Sequence, residues 1–170
     1  SALVLEPSLL LADEPVSMVD ASLRMSIVNL FKQLRDELGV SVLYITHDLT
    51  TAYHIAKSII VLYRGSVMEA GDVDSVIKTP QHPYTRLLID SIPWPDLSRR
   101  WGETEIKARE GEIADAGAGC RFYARCPFAM DKCAAPPPLF RLRDHQAASC
   151  FLYDQNTPLD ADRLSELLPV

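Results

Sequence analysis

Residues 9–15 read Leu-Leu-Leu-Ala-Asp-Glu-Pro. Four apolar or small residues run directly into two adjacent carboxylates and a proline. An apolar run of this length suits a buried strand, and Pro15, which has no N–H to give to a ladder, ends it. The strand therefore delivers Asp13 and Glu14 at its tip. Two acids side by side can divide the work of a phosphoryl-transfer site, one charge staying on a divalent cation while the other handles the proton of a water. The usual companion of such a strand, a Gly-x-x-x-x-Gly-Lys-[Ser/Thr] phosphate cradle, is absent, because none of the seven glycines is followed by Lys and then Ser or Thr.

The next 80 residues alternate between the two periodicities. Leu23, Ile27, Leu30, Phe31, Leu34 and Leu38 form a 3.6-residue stripe, which predicts a core-packed helix over 21–38. Asp20 or Ser22 starts it and Gly39 stops it. Residues 40–46 are β-branched and aromatic and predict a second buried strand, ending at His47-Asp48. A short helix over 49–56 follows, then two strands at 58–63 and 66–70 turned around Arg64-Gly65. Asp72 caps a helix over 73–78, and a further helix runs over about 83–91. The order implies an α/β core with an antiparallel edge. In a parallel sheet His47 emerges on the same edge as Asp13 and Glu14, where an imidazole can meet a terminal phosphate.

The texture changes at Trp94. Residues 94–119 are polar, charged and without clear period, and read as a linker with a short strand near Glu105–Ala108. Trp94 and Trp101 read as caps on this junction. Residues 120–152 hold all four cysteines, spaced C-x5-C-x6-C-x16-C, and a Pro136-Pro137-Pro138 run. This segment is expected to be too small for a core of its own and to need a metal staple. Cys120, Cys126, Cys133 and Cys150 lack the tight C-x2–4-C pair of most structural zinc sites. Four thiolates equally suit an iron–sulfur cluster, and unligated thiols are the third alternative. Arg121, Arg125, Arg141 and Arg143 make the segment locally basic. Residues 153–170 form a tail with an amphipathic turn at 161–168.

The formal charge of −6 and a pI near 5.2 speak against a nucleic-acid partner. The strongest apolar run, Ile59–Tyr63, is far shorter than a membrane span. The first residues lack the basic start of a secretory signal. The chain begins without Met and is expected to be cut from a longer polypeptide.

Taken together, Leu-Leu-Leu-Ala-Asp13-Glu14-Pro, then Ser17-x-x-Asp20, then Ile45-Thr46-His47-Asp48 resemble three consecutive motifs of ATP-binding cassette (ABC) ATPases: the Walker B strand, the D-loop and the switch-histidine loop. Thr79-Pro-Gln-His82-Pro83-Tyr84-Thr-Arg-Leu-Leu88 resembles the His-Pro-Tyr-Thr signature of the oligopeptide/dipeptide branch of that family. Gly119-Cys120-Arg-Phe-Tyr-Ala-Arg-Cys126-Pro127, with Cys133 and Cys150, is similar to its C-terminal extension. By itself the His-Pro-Tyr stretch reads as a helix entry, Pro83 in the first turn and Tyr84 packed inward, and gives His82 no catalytic role.

The resemblance implies a partial P-loop NTPase core over residues 1–93 that lacks the phosphate-loop strand, the linker, and a small Cys-rich extension. It implies ATP and Mg2+ as cofactors, with Glu14 and His47 catalytic, Asp13 orienting the magnesium and Asp20 at a head-to-tail partner interface. It also implies a 4Fe–4S cluster on the four cysteines, zinc being the alternative. The implied partners are a second ABC ATPase subunit, transmembrane permease subunits and a peptide receptor. The place implied is the cytoplasmic face of the inner membrane. Without the phosphate loop, the isolated chain is expected neither to bind ATP tightly nor to hydrolyse it. With one edge of the strand at 40–46 and its apolar faces uncovered, it is expected to self-associate or to rearrange its sheet. Two other readings are a non-catalytic metal- or Fe–S-binding interaction module built on residues 94–152, and a soluble ABC ATPase acting on nucleic acid or ribosomes. The acidic charge and the cysteine extension speak against the latter.

Overall fold

A computed structural model of the chain describes residues 7–92 and 119–168. The expected strand at 105–108 and both tryptophans lie outside the described residues. The chain divides into two compact units, Ser1–Ala56 and Lys57–Val170.

In the first unit β1 (Leu9–Asp13) and β2 (Ser41–Ile45) pair in parallel, Leu9 opposite Ser41 and Asp13 opposite Ile45. Between them runs α1 (Ala21–Leu38), which ends where Gly39 takes the left-handed backbone at φ 67°. Its N-terminus opens on Asp20 through the backbone carbonyl, which accepts from Leu23 and Arg24, and not through the side chain. The short helix α2 (Leu49–Ile55) follows β2.

The core of this unit is Val16, Val28 and Ile55, with Ile27, Phe31 and Tyr44 against it and the Phe31 and Tyr44 rings edge to face at 5.8 Å. The expected apolar stripe of α1 is thus only half used. Ile27, Val28, Phe31 and Leu34 turn inward, but Leu23, Leu30 and Leu38 are exposed. One helix covers one face of a two-stranded sheet, and apolar residues off that face find nothing to pack on. The sheet shows the same asymmetry. Residues paired across a parallel ladder share a face, and Leu9, Leu11, Leu43 and Ile45, all on one face, are all exposed.

The second unit is a five-stranded antiparallel sheet in the order β3-β4-β6-β5-β7. The hairpin of β3 (Ser58–Tyr63) and β4 (Ser66–Asp72) turns through Arg64 and Gly65, both at positive φ, as a two-residue hairpin loop requires. The helices α3 (Val73–Lys78) and α4 (Pro83–Asp90) follow. Asp72 caps α3 as expected, its carboxylate accepting from the Ser75 N–H at 3.0 Å.

The cysteine segment then returns to this hairpin. Strand β6 (Gln146–Ala148) pairs with β4, and β5 (Leu139–Arg143) and β7 (Pro158–Leu159) complete the sheet. Gly71 lies where β4 meets β6. Its φ is +155° and a Cβ there would stand 2.1 Å from the His145 carbonyl oxygen, so only glycine fits. The cysteine segment is therefore not without a core, as its size alone implied. It shares one, since Met68 of the hairpin packs with Cys120, Phe122 and Cys133. The tail closes a second cluster, Leu167 and Leu159 against Ala147. No helix among the described residues is long and apolar enough to cross a membrane.

Candidate functional site at the strand tips

The parallel pairing of β1 and β2 brings Glu14 and His47 to one point. His47 Nδ1 lies 2.9 Å from Glu14 Oε1, and both side chains are exposed. A carboxylate only accepts, so Nδ1 carries the proton in this contact. Glu14 sits at φ 43°, a left-handed backbone unusual for a residue other than glycine. Its N–H donates to the Ile45 carbonyl at 2.9 Å, extending the ladder one residue past Asp13. His47 is held from the other side. The Asp48 N–H donates to Thr46 Oγ1 at 3.0 Å, and the Asp48 carboxylate caps α2 by accepting from Thr50 and Thr51. Asp48 also accepts from Arg24 of α1 at 3.4 Å. Asp13 and Asp20 are exposed, at the strand tip and at the start of α1. Their carboxylate oxygens are the hard donors that Mg2+ prefers.

The His-Pro-Tyr stretch is built differently. The His82 side chain caps α4, its Nδ1 accepting from the Tyr84 N–H at 3.0 Å, and Pro83 takes the first turn. Burial lowers the His82 pKa to about 4, with Arg86 adding to the effect, so the ring is neutral. Tyr84 packs against Tyr63 and Phe122.

The turn before α4 is anchored by a residue the sequence reading passed over. Glu69 of β4 is fully buried, and its carboxylate accepts from the N–H groups of Gln81 (3.0 Å) and His82 (2.8 Å) and from Gln146 Nε2 (2.9 Å). Burial raises the Glu69 pKa, and the donated N–H bonds pull it back only in part. Gln146 also donates to the Thr79 carbonyl at 3.0 Å, and the Tyr153 hydroxyl donates to the Gln81 carbonyl at 3.1 Å. A signal was available. Glu69 stands between Met68 and Ala70 in a strand, where a charge is tolerated only with dedicated partners.

The four cysteines form no disulfide, and Cys120, Cys133 and Cys150 are buried. Burial pushes the Cys150 thiol up to about 11, and Cys126, Cys120 and Cys133 push it the same way. Among the described residues no group of three or more His, Cys, Asp or Glu side chains is arranged to hold a metal ion. The expected 4Fe–4S cluster and its zinc alternative find no support in this arrangement. Nor does the metal-binding interaction module.

A parallel strand pair joined by a helix thus brings an acid and an imidazole together at its tips. Residues 68–133 match the family described as oligopeptide/dipeptide transporter, C-terminal region. The oligopeptide transport ATP-binding protein OppF of Escherichia coli K12 is 40% identical over 156 residues, 90% of this chain and 46% of that protein. OppF of Salmonella typhimurium is 39% identical over 156 residues, again 90% and 46%. The chain belongs to the family of ATP-binding proteins of oligopeptide/dipeptide ABC transporters, and spans about half the length of these curated relatives.

Proposed function

We propose that the chain is the C-terminal part of the ATP-hydrolysing subunit of a peptide importer, and that its first unit supplies the side of the nucleotide site facing the terminal phosphate. The contact between Glu14 and His47 carries this reading. Glu14 takes a proton from the attacking water. With Nδ1 committed to Glu14, His47 turns Nε2 outward, and in the imidazolium form that atom donates to a phosphoryl oxygen. Asp13 would hold Mg2+, which would supply charge to offset that developing on the transferred phosphoryl group. Asp20 faces a second ATPase subunit. The importer's permease subunits and peptide receptor are separate chains, and the subunit is peripheral on the cytoplasmic face of the inner membrane.

ATPase assays on the intact subunit test the assignment. Glu14→Gln and His47→Ala are each expected to lower kcat by at least about 100-fold, with little change in nucleotide affinity. Unaltered turnover in Glu14→Gln would sink it. The isolated chain, without a phosphate loop, is expected to give no micromolar heat signal when titrated with Mg-ATP.

A further inference from the structure

We propose that Ser17 is a positioning residue for Glu14: its hydroxyl locks the backbone conformation that aims the Glu14 carboxylate at His47. The inference deepens the hydrolytic reading and rests on it for its purpose, though not for its geometry. Glu14 is held in a conformation its sequence disfavours twice. A left-handed backbone is costly for a residue with a Cβ, and the residue before a proline is pushed toward extended backbone; Glu14 has φ 43° and precedes Pro15. The other non-glycine residue with positive φ among those described, Arg64, is explained by its two-residue hairpin turn. Glu14 is in no such turn, so something else must hold it.

The contacts supply the reason. The Glu14 N–H is tied to the Ile45 carbonyl, which fixes one end of the residue. Its carbonyl accepts twice from one residue, from Ser17 Oγ at 2.9 Å and from the Ser17 N–H at 3.2 Å. Val16, buried against Val28 and Ile55, holds the turn down on the core. Ser17 itself is exposed, so its hydroxyl serves no packing role. With both peptide groups pinned, the side chain leaves the backbone in the direction that meets His47. Removing Oγ deletes one hydrogen bond and leaves the backbone bond from the same residue in place.

The test uses the 15N-labelled chain and long-range imidazole correlation spectra of wild type, Glu14→Ala, Ser17→Ala and Ser17→Thr. Wild type is expected to show His47 Nδ1 protonated and hydrogen-bonded, and Glu14→Ala to lose that signature. Ser17→Ala is expected to move the Nδ1 signal at least half of the way to the Glu14→Ala position, while the amide signals of Val28 and Leu34 stay put. Ser17→Thr, which keeps the hydroxyl, is expected to restore it. A wild-type signal in Ser17→Ala overturns the proposal, as does a displaced signal that threonine does not restore, or a Glu14→Ala spectrum identical to wild type. If the spectra behave as expected but the intact Glu14→Gln subunit still hydrolyses ATP, the hydrolytic reading fails and the positioning stands.

Discussion

The first unit holds its Glu14–His47 contact in water, whereas the second holds a carboxylate, Glu69, in its core. Glu14 and His47 meet at an exposed edge. Glu69 is sealed under the His-Pro-Tyr turn with every named partner an N–H donor. The apolar surfaces differ in the same sense. The first unit leaves Leu9, Leu11, Leu43 and Ile45 bare, while the second closes clusters on both Met68 and Ala147. An exposed ion pair contributes little to stability and a buried carboxylate with matched donors is costly to disturb. The first unit is therefore organised for encounter and the second for holding itself together.

The sharpest way to break that contrast is at Glu69. Glu69→Ala leaves the N–H groups of Gln81 and His82 and the Gln146 amide without their acceptor in the core. The expected loss is about 3–5 kcal/mol in the second unit, read from urea unfolding. Glu69→Gln, which sets an NH2 against those donors, is expected to cost about 1–3 kcal/mol. A loss within experimental error in both variants would mean that the buried network does not organise this unit.

Acid gives the next largest effect. His82 is neutral when folded, with a pKa lowered from 6.5 to about 4. Its contribution is complete above 6.5 and is lost as pH falls through 4, amounting to about 3 kcal/mol. Glu69 works in the opposite direction, because its raised pKa favours folding as pH falls. The two are separable with His82→Asn, whose side-chain oxygen can still cap α4. That variant is expected to remove most of the acid-dependent loss in denaturant midpoints measured between pH 7 and 4. Retention of the full loss would place its source elsewhere.

The contrast also explains what could be read from the chain. Elements set by local chemistry were legible: the Arg64-Gly65 hairpin, the Asp72 cap, the Gly39 stop and the Pro83 helix start all stand where the residues imply. The meeting of Glu14 and His47 followed from one long-range assumption, that two consecutive strands pair in parallel. The union of β4 with β6 was not legible. It joins residues more than 70 positions apart through short alanine-rich ladder positions that carry no periodic signal. Glu69 was hidden for the same reason, since its partners come from two separate segments, at 81–82 and at 146. The α1 stripe misled in the other direction, because periodicity says which residues share a face and not whether anything covers it.

That uncovered surface gives a smaller, concentration-dependent effect. The exposed face of β1 and β2 is expected to drive self-association of the isolated chain, visible in sedimentation or light scattering. Leu43→Lys puts a charge in the middle of the face and is expected to weaken association by about tenfold, in line with one large apolar side chain withdrawn from burial. A monodisperse monomer at high concentration would show that the first unit is better closed than its exposure suggests.

The smallest effect on stability is expected at the site with the largest effect on turnover. The Glu14–His47 contact is open to solvent, so His47→Ala is expected to shift the unfolding free energy by no more than about 0.5 kcal/mol. The same substitution in the intact subunit removes the group proposed to reach the terminal phosphate. If His47→Ala instead destabilised the first unit by about 2 kcal/mol, the imidazole would be a structural clasp between strand tips, and the division between a unit built for encounter and a unit built for cohesion would fail at its central residue.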